Sequence, residues 1–234
     1  MNQQKQALLQ TIFRYLLINS SFNNNSGLLN GKMGIVIFLC HYGRYKKSKL
    51  IAKFAEELIR EIYSEMHLDY PINFKDGFCG IAWAIEYLIR QGFVESDPDA
   101  ILAELDQKII EWDVRRISDY TLESGLKGVA YYCIARCGNR NRFSLPEDYI
   151  QDLFNSLLNS QDKDDEIIFL LDGLHKILQK ETLPAIYFTP VFLKDKYKIP
   201  DKINTESPRG LTNNGIAGIG LHILLNNEKK SLHL

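Results

Sequence analysis

Apolar residues recur along this chain in two rhythms. The first is amphipathic: Leu8, Leu9, Ile12, Phe13, Leu16 and Leu17; then Leu50, Ile51, Phe54, Leu58 and Ile62; then Ile101, Leu102, Leu105 and Ile109; then Ile150, Leu153, Phe154, Leu157 and Leu158. Spacing of three and four residues places each set on one face of a helix, with polar residues such as Glu56, Glu57 and Arg60 on the opposite face of the second. Pro98 after Asp97 opens the third of these helices, and Ser144-Leu-Pro-Glu147 reads as a capping box before the fourth. The second rhythm is denser and follows the pattern Gly-x-x-Gly, at Gly31 and Gly34, Gly77 and Gly80, Gly125 and Gly128, and Gly215 and Gly218. Counted from the second glycine, Ile35, Ile81, Val129 and Ile219 form one column and Leu39, Ile85, Cys133 and Ile223 another, a buried i, i+4 stripe. Val36, Ala82, Ala130 and Gly220 form a small-residue column that lets neighbouring helices approach closely.

The first glycines lie 46 residues apart (Gly31 to Gly77), then 48 (Gly77 to Gly125), then 90 (Gly125 to Gly215). Gly173, with Lys176 where a second glycine would stand, falls inside the long gap as a decayed fifth copy. A fixed period of this length marks a repeat architecture. Each first glycine follows a residue suited to capping a helix N-terminus, namely Asn30, Asp76, Ser124, Asp172 and Asn214. Glycine in a helix costs about 1 kcal/mol relative to alanine, so so many glycines at helix starts imply that side chains there must be missing. Alternating outer amphipathic helices and inner small-residue helices predict an all-α fold. It is a single domain over residues 1–234, an α/α toroid of about five inner and five outer helices whose ring is either smaller or incomplete. Residues 181–212, rich in proline, interrupt the pattern, and the reading there is a short helix over 186–195 followed by a loop.

Composition adds bounds. The 234 residues are 45% apolar and 24% charged, with net charge −1, an ordinary globular balance that offers no broad basic footprint for nucleic acid. The local run Arg44, Lys46, Lys47 and Lys49 reads as a solvated helix start. No apolar run approaches membrane-span length and no cleavable signal is visible, so the expectation is a cytoplasmic chain without membrane contact. Cys40, Cys79, Cys133 and Cys137 form no disulfide framework and read as free core thiols.

The segments Gly27-Leu-Leu-Asn-Gly-Lys-Met-Gly34, Asp76-Gly-Phe-Cys-Gly-Ile-Ala-Trp-Ala-Ile-Glu-Tyr-Leu88, Glu123-Ser-Gly-Leu-Lys-Gly-Val-Ala-Tyr-Tyr132 and Asn214-Gly-Ile-Ala-Gly-Ile-Gly-Leu-His-Ile-Leu-Leu225 resemble the repeated helices of lanthionine synthetase C-like proteins. The resemblance spans most of the chain. It implies a double ring of helices, with more hairpins than this chain supplies. It also implies a reaction in which a zinc-activated cysteine thiol of a precursor peptide adds to a dehydroamino acid, closing a thioether ring. In that family the zinc ligands and a catalytic histidine occupy the one or two positions before a first glycine. Here those positions hold Leu29 and Asn30, Lys75 and Asp76, Glu123 and Ser124, Leu171 and Asp172, Asn213 and Asn214, and Thr121 stands where the family has an aspartate. The expectation is therefore a scaffold without a zinc cofactor.

Three chemical readings stay open. Cys79, inside its Gly-x-x-Gly, is a candidate for a functional thiol facing the opening or a small packed residue; Cys133, Cys137, His175 and His222 lack metal-ligand spacing. Asp76, Glu123 and Asp172 at helix starts would serve as rim carboxylates of a helical-barrel carbohydrate-active enzyme, with Glu86 and Glu111 unassigned. The third reading is a non-catalytic binder of a precursor peptide or a peptide-modifying partner enzyme. Its substrate-binding rim is Asn30, Lys75, Asp76, Glu123, Ser124, Asp172 and Asn214, with Phe78, Trp83, Tyr131 and Tyr132 as either aromatic surface or helix core.

Overall fold

The structure is a computed structural model that describes residues 2–66, 70–140, 144–161, 163–193, 199–212 and 214–232. The order of elements is α1 (Gln3–Asn19), α2 (Lys32–Lys46), α3 (Lys49–Glu65), α4 (Phe78–Arg90), α5 (Pro98–Ile110), α6 (Leu126–Cys137), α7 (Glu147–Leu158), α8 (Asp165–Leu178) and α9 (Ile216–Leu232). Among the described residues there is no strand, and none of the helices is long and apolar enough to cross a membrane. The sequence reads as one domain; the helices group into two compact units, residues 1–69 with 192–234 and residues 70–191. The first unit is discontinuous because α9 returns to pack on α1 and α2.

Burial separates two kinds of helix within each unit. Residues 32–43 of α2, 78–88 of α4 and 126–137 of α6 are all buried, whereas α3 buries only Ala55, Leu58 and Ile62. By this measure α2, α4, α6 and α9, which follow the glycine pairs, are inner, and α1, α3, α5 and α7 are outer; α8, which packs on α6 and α7, buries only Ile167, Leu170, Gly173, Leu174 and Ile177. This is the all-α hairpin class that the repeats predict, consistent with an α/α toroid. The helix expected over 186–195 is two 3-10 turns, Ala185–Phe188 and Val191–Leu193, because Pro184 and Pro190 punctuate the segment; residues 194–198 lie outside the described set.

The aligned columns are core. Ile35, Ile81, Val129 and Ile219 are at most 5% exposed, and a Cβ at Gly220 would come within 2.8 Å of the Phe38 ring. Helix α8 departs from expectation. It starts at Asp165 with Asp164 as N-cap, whose side chain accepts from the Ile167 amide at 2.8 Å, so Gly173 lies mid-helix, against Ile134 and Tyr187, rather than at a helix start. The capping box at Ser144 does not form either: α7 begins at Glu147, with Pro146 as its N-cap.

A buried charge network joins α4, α5 and α6. Arg136, 2% exposed, donates from Nε and Nη2 to Asp106 Oδ2 at 3.0 and 2.9 Å, and from Nη1 to Glu86 Oε1 at 3.1 Å and Asp99 Oδ1 at 2.6 Å. Arg140 reaches Glu86 at 2.7 Å and Asp99 at 3.0 Å, while the Tyr132 hydroxyl donates to Asp106. Arg90 donates to the carbonyls of Ala135 and Gly138 at 2.8 and 2.9 Å, tying down the end of α6.

Candidate functional site

The inner helix starts are built from main chain. The N-caps of α2, α4 and α6 are Gly31, Gly77 and Gly125, and none makes a side-chain cap bond. A loop preceding each helix supplies the acceptors instead. Lys32 N–H donates to Asn25 O at 2.8 Å, Phe78 N–H to Pro71 O at 2.8 Å, Cys79 N–H to Ile72 O at 3.0 Å and Leu126 N–H to Asp119 O at 2.9 Å. Before α9, Ile216, Ala217 and Gly218 donate to Pro208, Arg209 and Gly210 in the same manner, at 2.9, 3.1 and 3.1 Å. These bonds satisfy amides that a helix leaves orphaned in its first turn.

This geometry explains the first glycine of each pair. A Cβ at Gly31, Gly77, Gly125 or Gly215 would lie closer than 3.0 Å to the carbonyl of Asn25, Pro71, Asp119 or Gly210. The second glycine serves packing: a Cβ at Gly34 would stand 2.9 Å from Gly210 Cα, and one at Gly128 would meet the Cβ of Phe74. Asn30, Asp76, Ser124 and Asn214 consequently are not N-caps, as the sequence suggests, but lie one residue outside. Asn214 takes a left-handed conformation, φ 65°, there.

Neighbouring rim loops are stitched together within each unit. Leu211 and Thr212 N–H donate to Leu28 and Leu29 O at 3.3 and 2.8 Å, and Lys75 N–H donates to Glu123 O at 3.0 Å. Of the predicted rim residues, Lys75 and Glu123 are brought together, Nζ to Oε2 at 3.0 Å, and the hydrogen bond to Glu123 raises the Lys75 pKa. The Ser124 hydroxyl donates to Asp119 at 2.6 Å, and the Asp76 amide donates to Asn73 Oδ1 at 2.8 Å. Asp172 belongs elsewhere: in mid-α8 its carboxylate accepts from Lys176 and from the Tyr187 hydroxyl. A trio of rim carboxylates including Asp172 therefore does not form, because α8 starts at Asp165 and not at Gly173. Glu86 is buried in the Arg136 network, and Glu111 pairs with Lys108 at 3.0 Å.

Two lysines inside the glycine pairs have roles the sequence reading did not find. Lys32, 1% exposed, bridges Glu61 and Glu65 of α3 at 2.6 and 2.5 Å, with Ser26 donating to the second oxygen of Glu65 at 2.5 Å. Lys127 bridges Asp164 and Glu166 at 2.5 and 3.0 Å, and Tyr131 donates to Glu166 at 3.0 Å. Burial opposes the charge on each lysine, but the paired carboxylates override it and raise both pKa values. One signal was available in the sequence: a cation at a helix start opposes the macrodipole and calls for a partner. Beside Lys127 opens a cleft of about 530 Å³, lined by Tyr120, Thr121, Asn159, Ser160, Gln161, Asp164 and Ile167.

The thiols do not face this opening. Cys79 and Cys133 are fully buried, Cys137 nearly so, and burial pushes their pKa values up, that of Cys137 to about 11. His222 pairs with Asn226 at 2.9 Å and His175 lies against Phe154. Among the described residues no group of three or more His, Cys, Asp and Glu is arranged to hold a metal. Phe78, Trp83, Tyr131 and Tyr132 are core, at most 6% exposed, and offer no aromatic binding surface.

Asp119 gives the rim an acid-sensitive joint. Its pKa is lowered by hydrogen bonds from Ser124 and from the Thr121 amide. A depressed carboxylate contributes stability above its unfolded value, near 3.9, that is lost as pH falls through the folded value. Wild-type protein should therefore lose below about pH 4 a contribution under about 1 kcal/mol, small because solvent screens the group, which Asp119→Asn lacks. Thermal melts of both proteins from pH 5 to 2 check it; parallel curves would refute it.

Comparison with known proteins found no match among curated proteins or solved structures. A family model described as lanthionine synthetase C-like protein matches residues 23–182, which takes in α2 to α8 and three of the four Gly-x-x-Gly corners. With the match covering most of the chain and the helices repeating in the predicted order, the chain belongs to the lanthionine synthetase C-like family.

Proposed function

We propose that this chain binds a modified precursor peptide at its inner-helix rim and leaves thioether chemistry to a partner enzyme. The observation that carries this reading is the cleft beside Lys127. It lies at the starts of α6 and α8, is lined by hydroxyl, amide and carboxylate groups, and has neither thiol nor imidazole among its lining residues. Hydroxyls and side-chain amides suit the backbone of an extended peptide, and Asp164 and Lys127 add charge for orientation. The donor chemistry speaks against a resident zinc ion. Thiols held protonated in the core are poor ligands, since zinc binds the thiolate.

A dehydrated, cysteine-containing peptide is the probe. The full chain should bind it in fluorescence anisotropy without forming thioether, and Thr121→Arg with Asn159→Arg, both at the cleft, should weaken binding about tenfold or more. Thioether formation by this chain alone, or stoichiometric zinc lost on replacing Cys79 or Cys133, would overturn the reading. So would cleft variants that bind as wild type.

A further inference from the structure

Charge is divided unequally along this nearly neutral chain. Residues 1–55 carry eight Lys and Arg and no Asp or Glu, and the first acidic residue is Glu56. The structure concentrates part of this excess at one corner of the first unit, where α2 ends and α3 begins. Arg44, Lys46, Lys47, Lys49 and Lys53 are all exposed there, and Leu50 stands among them 78% exposed. Arg14 of α1 extends the basic surface: it acts on Tyr42, over whose ring, and that of Tyr45, Lys46 lies at 5.8 and 5.2 Å. Of the acids that follow, Glu61 and Glu65 are held by Lys32 and Glu56 lies 3.8 Å from Arg60, which leaves exposed Glu57 against the five cations of the corner.

Local helix physics accounts for only half of this arrangement. Arg44 and Lys46 complement the negative end of α2, whose C-cap Lys47 is left-handed at φ 52°. Lys49 and Lys53 stand at the opposite, positive end of α3, where acidic residues are favoured. That helix has no acidic residue in its first turn, and Ser48 makes no side-chain cap bond. Like charges at a positive helix end, surrounding an apolar side chain held out in water, break two local rules at once. Such breaks mark sites of function.

We propose that the α2–α3 corner docks on an anionic lipid surface. Lysines near such a surface gain about 1 kcal/mol each from its negative potential, and their aliphatic stems reach along the headgroups. Leu50, ringed by them, enters the headgroup boundary, and burial of its side chain contributes about 1.5 to 3 kcal/mol. Contact of this kind is peripheral and requires no spanning helix. An acidic polypeptide shares the charge complementarity, but a single protruding leucine ringed by cations suits a flat bilayer better.

Full-length protein is sedimented with vesicles of phosphatidylcholine alone and of phosphatidylcholine mixed with phosphatidylserine. Binding is expected only to the second, falling as salt rises. Lys47→Glu, Lys49→Glu and Lys53→Glu together should reduce it at least about a hundredfold, from three contributions of about fivefold each, and Leu50→Ser at least about tenfold. Lys202→Glu, an exposed change elsewhere, should bind as wild type, and thermal melts verify that every variant is folded. Failure to bind phosphatidylserine vesicles, equal binding to both vesicles, or full binding by the triple variant would overturn the proposal. Capture of poly-glutamate without vesicle binding would put an acidic polypeptide in its place.

Discussion

Gly77→Ala should destabilise the second unit by about 3 kcal/mol or more, although one methyl group is all that is added. The new Cβ would overlap the Pro71 carbonyl, the acceptor for Phe78 N–H, and pushing that loop aside also strains the bond from Cys79 to Ile72. Overpacking costs about 1 to 3 kcal/mol, and each buried amide left without an acceptor about 1 to 3 kcal/mol. Against a total stability of about 5 to 15 kcal/mol this is a large share. Gly43→Ala is the control. Its Cβ would meet nothing nearer than 3.4 Å, so in the interior of α2 it should be neutral or stabilising by up to about 1 kcal/mol. Urea unfolding of the two variants checks the pair; equal midpoints would show that the loop carbonyls do not require the glycine.

Arg136→Met should be comparably severe, about 3 to 5 kcal/mol, because it leaves buried carboxylates without their cation. Asp106 would keep only the Tyr132 hydroxyl, and Glu86 would keep Arg140 with Arg90 farther off, at 3.8 Å. The pH dependence has a definite sign. Burial already raises the Glu86 pKa against the pull of Arg140, Arg136 and Arg90, and removing one of those cations raises it further. A carboxyl raised in the fold contributes most below its unfolded value, near 4.3, and that contribution is lost as pH rises through the folded value. The defect should therefore be larger at pH 7 than at pH 4. Arg115→Met, at a pair 65% exposed on the arginine side, should leave stability almost unchanged. Denaturation of both variants at the two pH values is decisive: an Arg136→Met defect independent of pH would assign it to lost packing rather than orphaned charge.

Regular features were legible in the sequence because they repeat. The Gly-x-x-Gly period gave the inner helices, and the small-residue column gave their close packing, confirmed at Gly220 against Phe38. Capping was misread for a physical reason. Asn30, Asp76 and Ser124 are good caps by residue type, but preceding loops already fill the cap sites with carbonyls. Asp164 before Ile167 was an equally good cap signal for α8, and the periodicity of Gly173 obscured it. The partners of Lys32 and Lys127 lie 29 to 39 residues away in sequence, and those of Arg136 30 to 50, so no local pattern announces them.

The main-chain caps also bear on how such a surface can change over time. Where side chains cap a helix, the sequence at its mouth is committed to folding. Here glycine and loop carbonyls do that work, and Asn30, Asp76 and Ser124 stand one residue outside the caps. Selection can then rewrite those positions one at a time, exchanging one recognition chemistry for another while the helices beneath keep their starts.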